Sequence, residues 1–400
     1  MMSNEDTSQQ SICPVCNTTD IAVLVEVPHM PVHCCLLWPT QEEAIQAPQG
    51  DIRLGFCRDC GHIFNLAFKP ELMKYTQAYE NSLHFSPRFQ SYAGSLAARL
   101  IDRYDLRGKD IIEIGCGKGD FLRLLCDLGT NRGVGFDPSY APEQNGGGTT
   151  AERITFIQDF YSERHADYKA DLICCRQVLE HIQFPRDFLN GVRHSIGNRP
   201  TTVVFFEVPN VLFTLRDLGI WDLIYEHCSY FSRSSLSYLF TSCGFEVCDL
   251  NETYQGQFLC IEALPGEGLG NSRRGPGDDL EELVSDVATF ADKYRRKIEA
   301  WQCNLERMAQ AGQRAVVWGG GARGVTFLNT LETQDQIEYV VDINPRKQGR
   351  YVPGTGQQIV RPEFLRDYQP DVVIVMNPIY KSEIQQLIKS LGLTTKFLYG

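Results

Sequence analysis

Ile111-Ile112-Glu113-Ile114 is a short apolar run carrying one acid, and Gly115, Gly117 and Gly119 follow it at alternate positions. Phe121-Leu122-Arg123-Leu124-Leu125 then has helical spacing. A strand that breaks into glycines and runs on into a helix offers bare backbone N–H groups to a ligand. In an open α/β sheet that ligand lies beyond the carboxyl ends of the strands. This stretch commits the middle of the chain to a doubly wound α/β unit. Dinucleotide sites prefer Gly-x-Gly-x-x-Gly; here the spacing is tighter and an acid sits inside the strand. Taken alone, the stretch also allows a strand–turn–helix with no ligand.

The following segments narrow the reading. Val134-Gly135-Phe136-Asp137-Pro138 predicts a second strand ending in an acid, placed to accept ribose hydroxyls. Phe156-Ile157-Gln158-Asp159-Phe160 ends a third. Ala170 to Cys175 is a fourth, leading into Arg176-Gln177-Val178-Leu179-Glu180-His181. These pieces, in this order, resemble the class I methyltransferases, which bind S-adenosylmethionine (SAM). The resemblance implies that Glu113 handles the amino group or a bound water of the methionine moiety. Gly115, Gly117 and Gly119 form the backbone cradle. Asp137, with Pro138, meets the ribose; Asp159, with Phe160, meets the adenine; Gln177 completes the cofactor set.

With 400 residues the chain has room for two or three domains. Lys plus Arg number 38 against 50 Asp plus Glu, a net charge of −12. That balance argues against broad nucleic-acid binding but permits a local basic pocket. No apolar run approaches the ~18 residues a membrane span requires, and Met1 to Gln10 is polar, unlike a signal peptide. Fifteen cysteines, several in apolar strands (Cys174, Cys175, Cys260), fit reduced thiols in the cytoplasm better than a disulfide framework.

Cys13-x-x-Cys16 and Cys57-x-x-Cys60 have the spacing of two knuckles that present four thiolates to a structural Zn²⁺, leaving no open position for catalysis. Residues 1–70 form this domain. His33, Cys34 and Cys35 between the knuckles read as bystanders to the metal. Residues 71–265 form the SAM domain; 71–108 reads as helical, with a helix over 90–104 leading into the cofactor strand. On a helix Tyr75 and Tyr79 share a face, as a substrate wall or as packing residues. Further helices are expected over 186–196 and 236–243, a fifth strand over 201–210, and a closing strand pair over 244–250 and 258–263. Residues 264–278 read as a linker or exposed loop. Residues 266–312 comprise this linker and a bracing helix whose apolar face runs from Leu280 to Met308. Residues 313–400 repeat the strand–glycine–helix pattern. Gly319, Gly321 and Gly324 are followed by Asp342. A phosphate cradle, a dinucleotide site and pure scaffold all satisfy that pattern.

The whole chain resembles the three-domain, zinc-containing C-methyltransferases of deoxysugar biosynthesis, which act on nucleotide-linked keto sugars. Cys13/Cys16/Cys57/Cys60, the Glu113–Gly119 stretch and Glu226-His227-Cys228-Ser229-Tyr230-Phe231-Ser232 carry the likeness. It implies an α/β architecture: a small zinc-binding domain, a central class I SAM domain and a C-terminal Rossmann-like domain that takes the nucleotide. It implies His227 as the base, with Glu226 beside it and His181 at the substrate. Tyr79, Tyr225 and His181 are candidates to hold an enolate oxygen; Tyr75 and Tyr79 would line the acceptor, and Arg323 and Lys381 would meet a diphosphate. In many members one residue separates the Tyr from the Glu, whereas Tyr225 abuts Glu226. That departure bears on the acceptor more than on the chemistry. The expected partner is a small molecule, with neither nucleic acid nor membrane, and the expected state is a monomer or homodimer. The alternatives are O- or N-methylation of another metabolite, an NAD-dependent oxidoreductase using residues 316–342, and a zinc-ribbon adaptor.

Overall fold

The computed structural model describes residues 11–36, 38–73, 76–141, 151–266, 280–333 and 336–400. The N-terminal part is a small antiparallel sheet of β1 (Ile21–Pro31), β2 (Gln49–Cys57) and β3 (Ile63–Asn65), with helix α1 (Gln41–Ile45) between β1 and β2. Four cysteines sit at its end, two in a turn before β1 and two at the β2–β3 turn.

The central part opens with α2 (Pro87–Tyr104), which leads into β4 (Asp110–Ile114), α3 (Asp120–Gly129), β5 (Arg132–Phe136), β6 (Ile154–Ile157) and β7 (Leu172–Arg176). Then come α4 (Pro185–Ile196), β8 (Val203–Pro209), α5 (Val211–Leu215), β9 (Ser229–Tyr230), α6 (Arg233–Ser242), β10 (Phe245–Thr253) and β11 (Phe258–Pro265). Seven strands form one sheet in the order β10-β11-β8-β7-β4-β5-β6. Neighbouring strands from β6 to β8 run parallel, and the β10–β11 hairpin closes the sheet antiparallel to β8. Strand order reverses between β4 and β7, which opens a crevice at their carboxyl ends.

The helix expected over 71–108 starts sixteen residues later, at Pro87. Proline suits the first turn of a helix but drives the residue before it out of the helical region. Ser86 is accordingly extended (φ −88°, ψ 124°), and its hydroxyl caps the helix by accepting from Phe89 N. Tyr79 lies on an irregular segment bridged to Leu36 and not on a helix. Tyr75 and most of the 264–278 linker fall outside the described residues.

The helix α7 (Leu280–Gln310) buries Leu283, Phe290, Trp301, Leu305 and Met308. They join one apolar cluster with Val27, Met30 and Val32 from the N-terminal part and Val325, Phe327 and Leu328 from the C-terminal part. The C-terminal part holds β12 (Ala315–Trp318), α8 (Ala322–Thr330), β13 (Ile337–Val341), β14 (Gln358–Val360), α9 (Leu365–Tyr368), β15 (Val372–Val375), α10 (Lys381–Ser390) and β16 (Lys396–Tyr399). Its parallel sheet runs β14-β13-β12-β15-β16, with the order reversing between β12 and β15. Strands β14 and β16 were not anticipated: both are short and flanked by polar residues. Among the described residues no helix is long and apolar enough to cross a membrane.

Candidate active site

The two order reversals face each other across one cavity of about 420 Å³. Glu113, Gly115, Gly117, Arg176 and Gln177 line it from the central sheet, and Trp318, Gly319, Gly321, Met376 and Asn377 from the C-terminal sheet. The Glu226-His227 turn and Tyr79 fill the wall between them.

On the central side, Gly115 has φ +68°, and a Cβ there would stand 2.2 Å from Val178. Only glycine allows the loops after β4 and β7 to approach so closely. Gly117 N–H donates to Asp137 Oδ2 at 2.8 Å, and Ser139 N–H and Oγ hold Oδ1 at 2.7 and 2.6 Å. Asp137 thus pins the glycine loop. Glu113 is 3% exposed and its Oε2 has no hydrogen-bond partner among the described residues. Burial pushes its carboxyl up to about 8, although the nearby Arg176 guanidinium opposes this. A buried carboxylate oxygen facing a cavity calls for a cationic or donor group. The methionine ammonium of SAM is such a group, and the open backbone at Gly117 leaves room for it. Lys118 Nζ and Arg176 Nε are likewise buried without partners among the described residues. Arg176 is otherwise anchored by Glu207 at 2.9 Å and lies over the Phe121 ring.

The wall formed by the Glu226-His227 turn is built by pairing across the chain. Strand β9 joins the N-terminal sheet through β3, with Ile63 opposite Tyr230 and Phe64 opposite Ser229. The residues just before β9 therefore form a fixed turn: His227 N–H donates to Ile224 O at 3.2 Å and the Tyr230 hydroxyl donates to Ile224 O at 3.1 Å. Glu226 is 1% exposed. Its Oε1 accepts from Cys34 N at 2.6 Å and lies 3.5 Å from His33 Nδ1; its Oε2 accepts from the Tyr79 hydroxyl at 2.5 Å. Burial pushes this carboxyl up, but the neighbouring His33, His181 and Tyr79 outweigh it, so it stays ionised.

The backbone oxygen of Glu226 lies 3.0 Å from His181 Nδ1. A carbonyl only accepts, so Nδ1 carries the proton and the lone pair of the neutral ring sits on Nε2. The His181 and His227 rings meet edge to face, 4.9 Å between centroids. Burial, then the neighbouring His181, hold the His227 imidazole well below the usual histidine range. It is therefore neutral near pH 7 and able to accept a proton.

On the C-terminal side Gly320 N–H donates to Asp342 Oδ2 at 2.9 Å and Asn344 N–H to Oδ1 at 2.8 Å. This repeats the Gly117–Asp137–Ser139 arrangement. A Cβ on Gly324 would lie 2.0 Å from Gly319 O, so this glycine serves close helix–strand packing. Arg323 lines the cavity. Its guanidinium is held bidentately by Asp222 at 2.6 and 2.7 Å and donates to Gln257 Oε1 at 3.0 Å.

Away from the cavity, Cys13 Sγ lies 3.7 Å from Cys60 Sγ, and Cys57 Sγ lies 3.5 Å from both Cys16 and Cys60. A tetrahedral ion with bonds of ~2.3 Å to sulfur holds its ligands ~3.8 Å apart, so these four thiols fit one. His33, Cys34 and Cys35 are not in that cluster. The first two instead cradle Glu226.

Not every expected residue reaches the cavity. Tyr225 is fully buried, and its hydroxyl accepts from Lys69 N at 2.9 Å in the N-terminal part. Its ring fills the space over Gly50, where a Cβ would stand 2.3 Å away. The turn that aims His227 inward aims Tyr225 outward. Lys381 is exposed, its ammonium 5.0 Å from the centre of the Tyr399 ring. Asp159 Oδ1 is taken by Phe160 N at 2.8 Å and Arg164 at 2.5 Å, and Phe160 is 59% exposed. Gly119 (φ +81°) caps the start of α3, and a Cβ there would strike Phe156; Pro138 follows β5 and does not line the cavity. Gln257 went unnoticed in the sequence, and His33 and Cys34 were read only as bystanders to the metal. Arg176 and Glu180 lay in the stretch Arg176-Gln177-Val178-Leu179-Glu180-His181, which was singled out without a role for either.

Residues 89–250 match a family model described as a methyltransferase domain, and residues 281–398 one described as a C-methyltransferase C-terminal domain. The C-methyltransferase NovU of Streptomyces niveus is 29% identical over 299 residues, covering 71% of this chain and 70% of that protein. A ubiquinone biosynthesis O-methyltransferase of Pasteurella multocida is 29% identical over 133 residues, 30% of this chain and 52% of that one. The solved structure of magnesium protoporphyrin IX methyltransferase (ChlM) from Synechocystis with bound SAH aligns with TM-score 0.35 and 18% identity, over 44% of this chain and 84% of that one.

Proposed function

We propose that this SAM-dependent methyltransferase, which carries a C-methyltransferase C-terminal domain, methylates the carbon next to the carbonyl of a nucleotide-linked keto-deoxysugar. One observation carries the reading: the cofactor loop, the Glu226-His227 turn and the C-terminal glycine loop open into a single cavity. An acceptor with a sugar at one end and a diphosphate at the other spans such a space. The C-methyltransferase NovU, matched over most of both chains, supports carbon as the methylated atom.

Glu113, Gly115 and Gly117 would hold the methionine end of SAM, and Asp137 the ribose. When bound, SAM supplies an electrophilic methyl group. The chain's own residues prepare the acceptor. His227, neutral and desolvated, removes the proton α to the carbonyl, and electron density moves onto the carbonyl oxygen as an enolate. Glu226 is kept ionised by Cys34, Tyr79 and His33, and its backbone oxygen orients His181 beside His227. His181, which burial keeps neutral, lines the acceptor space beside His227. Arg323, already oriented by Asp222, meets the diphosphate with the backbone of Gly319 to Gly321. The ion of the four-cysteine cluster is zinc, and it serves the fold rather than the chemistry.

The test uses full-length protein, a panel of nucleotide-linked 4-keto sugars, and deuterated water. A carbon route incorporates deuterium next to the carbonyl with SAH in place of SAM, and His227→Ala abolishes exchange and turnover while SAM still binds. Methylation of a hydroxyl or amine without exchange would favour the O- or N-methyltransferase reading instead.

A further inference from the structure

Glu180 and His181 lie in the turn Leu179–His181 that follows β7, and His227 lies in the turn before β9. A carboxylate oxygen of Glu180 and one ring nitrogen from each histidine all fall within 4.8 Å of one another. Glu180 is 1% exposed, and neither carboxylate oxygen has a hydrogen-bond partner among the described residues. It nevertheless lines the cavity, as do both histidines. A carboxyl group buried without partners is costly unless a ligand supplies what the protein does not.

Two imidazoles and one carboxylate are the donor set of divalent first-row ions such as cobalt, zinc or manganese. The His181 Nδ1–H donated to Glu226 O at 3.0 Å gives the tautomer whose lone pair is on Nε2. Metal-binding histidines are oriented by such a bond to a backbone carbonyl. The open side of the triad is the cavity, so water or an acceptor oxygen can complete the coordination. The donors contain no sulfur, which separates this site chemically from the four-cysteine cluster.

We propose that Glu180, His181 and His227 form a second metal site, inside the catalytic cavity, that takes a divalent transition ion. Occupancy engages the lone pair with which His227 would take the acceptor's proton, so the ion and proton abstraction compete. The competition rests on the proposed base role of His227, whereas ion binding does not.

The experiment titrates full-length protein, its cysteine cluster loaded, with cobalt(II) chloride and follows the visible spectrum and the methyl-transfer rate together. The expected result is about one further ion per chain with ligand-field bands and no sulfur-to-cobalt charge transfer. Glu180→Gln should weaken that binding by roughly 10-fold or more, with SAM affinity preserved as proof of folding. Activity should fall as the bands grow and return on chelation. Charge-transfer bands alone would mean exchange at the cysteines and would overturn the site, as would an unchanged titration in Glu180→Gln. Cobalt bound with the bands described and methyl transfer unaffected would overturn the competition and leave the site standing.

Discussion

The Tyr79 hydroxyl donates to Glu226 Oε2 at 2.5 Å, from an irregular segment that enters the wall of the cavity 147 residues earlier in the chain. Tyr79 is thus tied to the carboxylate whose backbone oxygen orients His181. Removing the hydroxyl leaves a buried carboxylate oxygen unpaired, and hydrogen bonds to charged groups contribute about 1.5–3 kcal/mol. Tyr79→Phe should lower kcat by roughly 10- to 100-fold and leave SAM affinity unchanged, because Glu113 and Asp137 are untouched. Steady-state kinetics with calorimetric SAM titration would check this. An equal loss of SAM affinity would mean that Tyr79 acts on the cofactor side.

Local punctuation explains what could be read beforehand. Strand–glycine–helix at Ile111 to Leu125 and again at Val316 to Gly324 depends on neighbours in sequence, so both Rossmann-like units were legible. Long-range pairing was not. Nothing near Glu226 announces that Cys34 N and Tyr79 will hold its two oxygens, or that β9 will leave the central part to join β3. That strand exchange also explains why Tyr225 and His227, two apart, serve different sides: one packs on the N-terminal sheet, the other faces the cavity. The Ser86-Pro87 pair did carry the signal for the start of α2. The aromatic-rich run before it suggested a helix too early.

Asp137 and Asp342 occupy equivalent places, each taking the N–H of a glycine-loop residue. Only Asp137 is proposed to meet SAM. Asp137→Ala should weaken SAM binding by about 1–3 kcal/mol, through unpaired ribose hydroxyls and an unpinned loop. Asp342→Ala should spare SAM and raise KM for the nucleotide-linked acceptor. Titrating each variant with SAH and measuring KM for the acceptor separates the two roles. A SAM defect in Asp342→Ala would show that the C-terminal loop belongs to the cofactor.

Metal removal should reach the active site through the sheet. The cysteine cluster secures the β2–β3 turn, and β3 carries β9, which fixes the Glu226-His227 turn. Structural metal ions contribute folding energy to small domains that lack a large core. Stripping the ion with a chelator should therefore abolish methyl transfer before SAM binding is lost, and hydrogen exchange at Ser229 and Tyr230 should accelerate. Full activity in metal-free protein would break this chain of support.

With Glu113 meeting the SAM ammonium, as proposed, cofactor binding becomes a proton-coupled event. Without ligand its carboxyl titrates near 8, raised mainly by burial. An α-amino group in solution also titrates near 8, and the two must share a single proton when they pair. Below pH 8 the free partners carry two protons between them, so binding releases one. Above pH 8 they carry none, so binding takes one up. SAM affinity should therefore peak near pH 8 and fall by up to ~10-fold per pH unit on either side. Calorimetry in buffers of different ionisation enthalpy would report release at pH 7 and uptake at pH 9. Glu113→Gln should bind more weakly and lose the acid-side slope. The same group has the opposite influence on the cofactor-free fold. The unfolded chain ionises Glu113 near its ordinary value, while the native state keeps the proton until about 8. Its stability contribution is thus complete at acid pH and is lost as pH rises toward 8. Cofactor-free protein should melt lower at pH 8 than at pH 6 by a margin that Glu113→Gln reduces. Buffer-independent heats at pH 7 would show that Glu113 is already ionised before SAM binds.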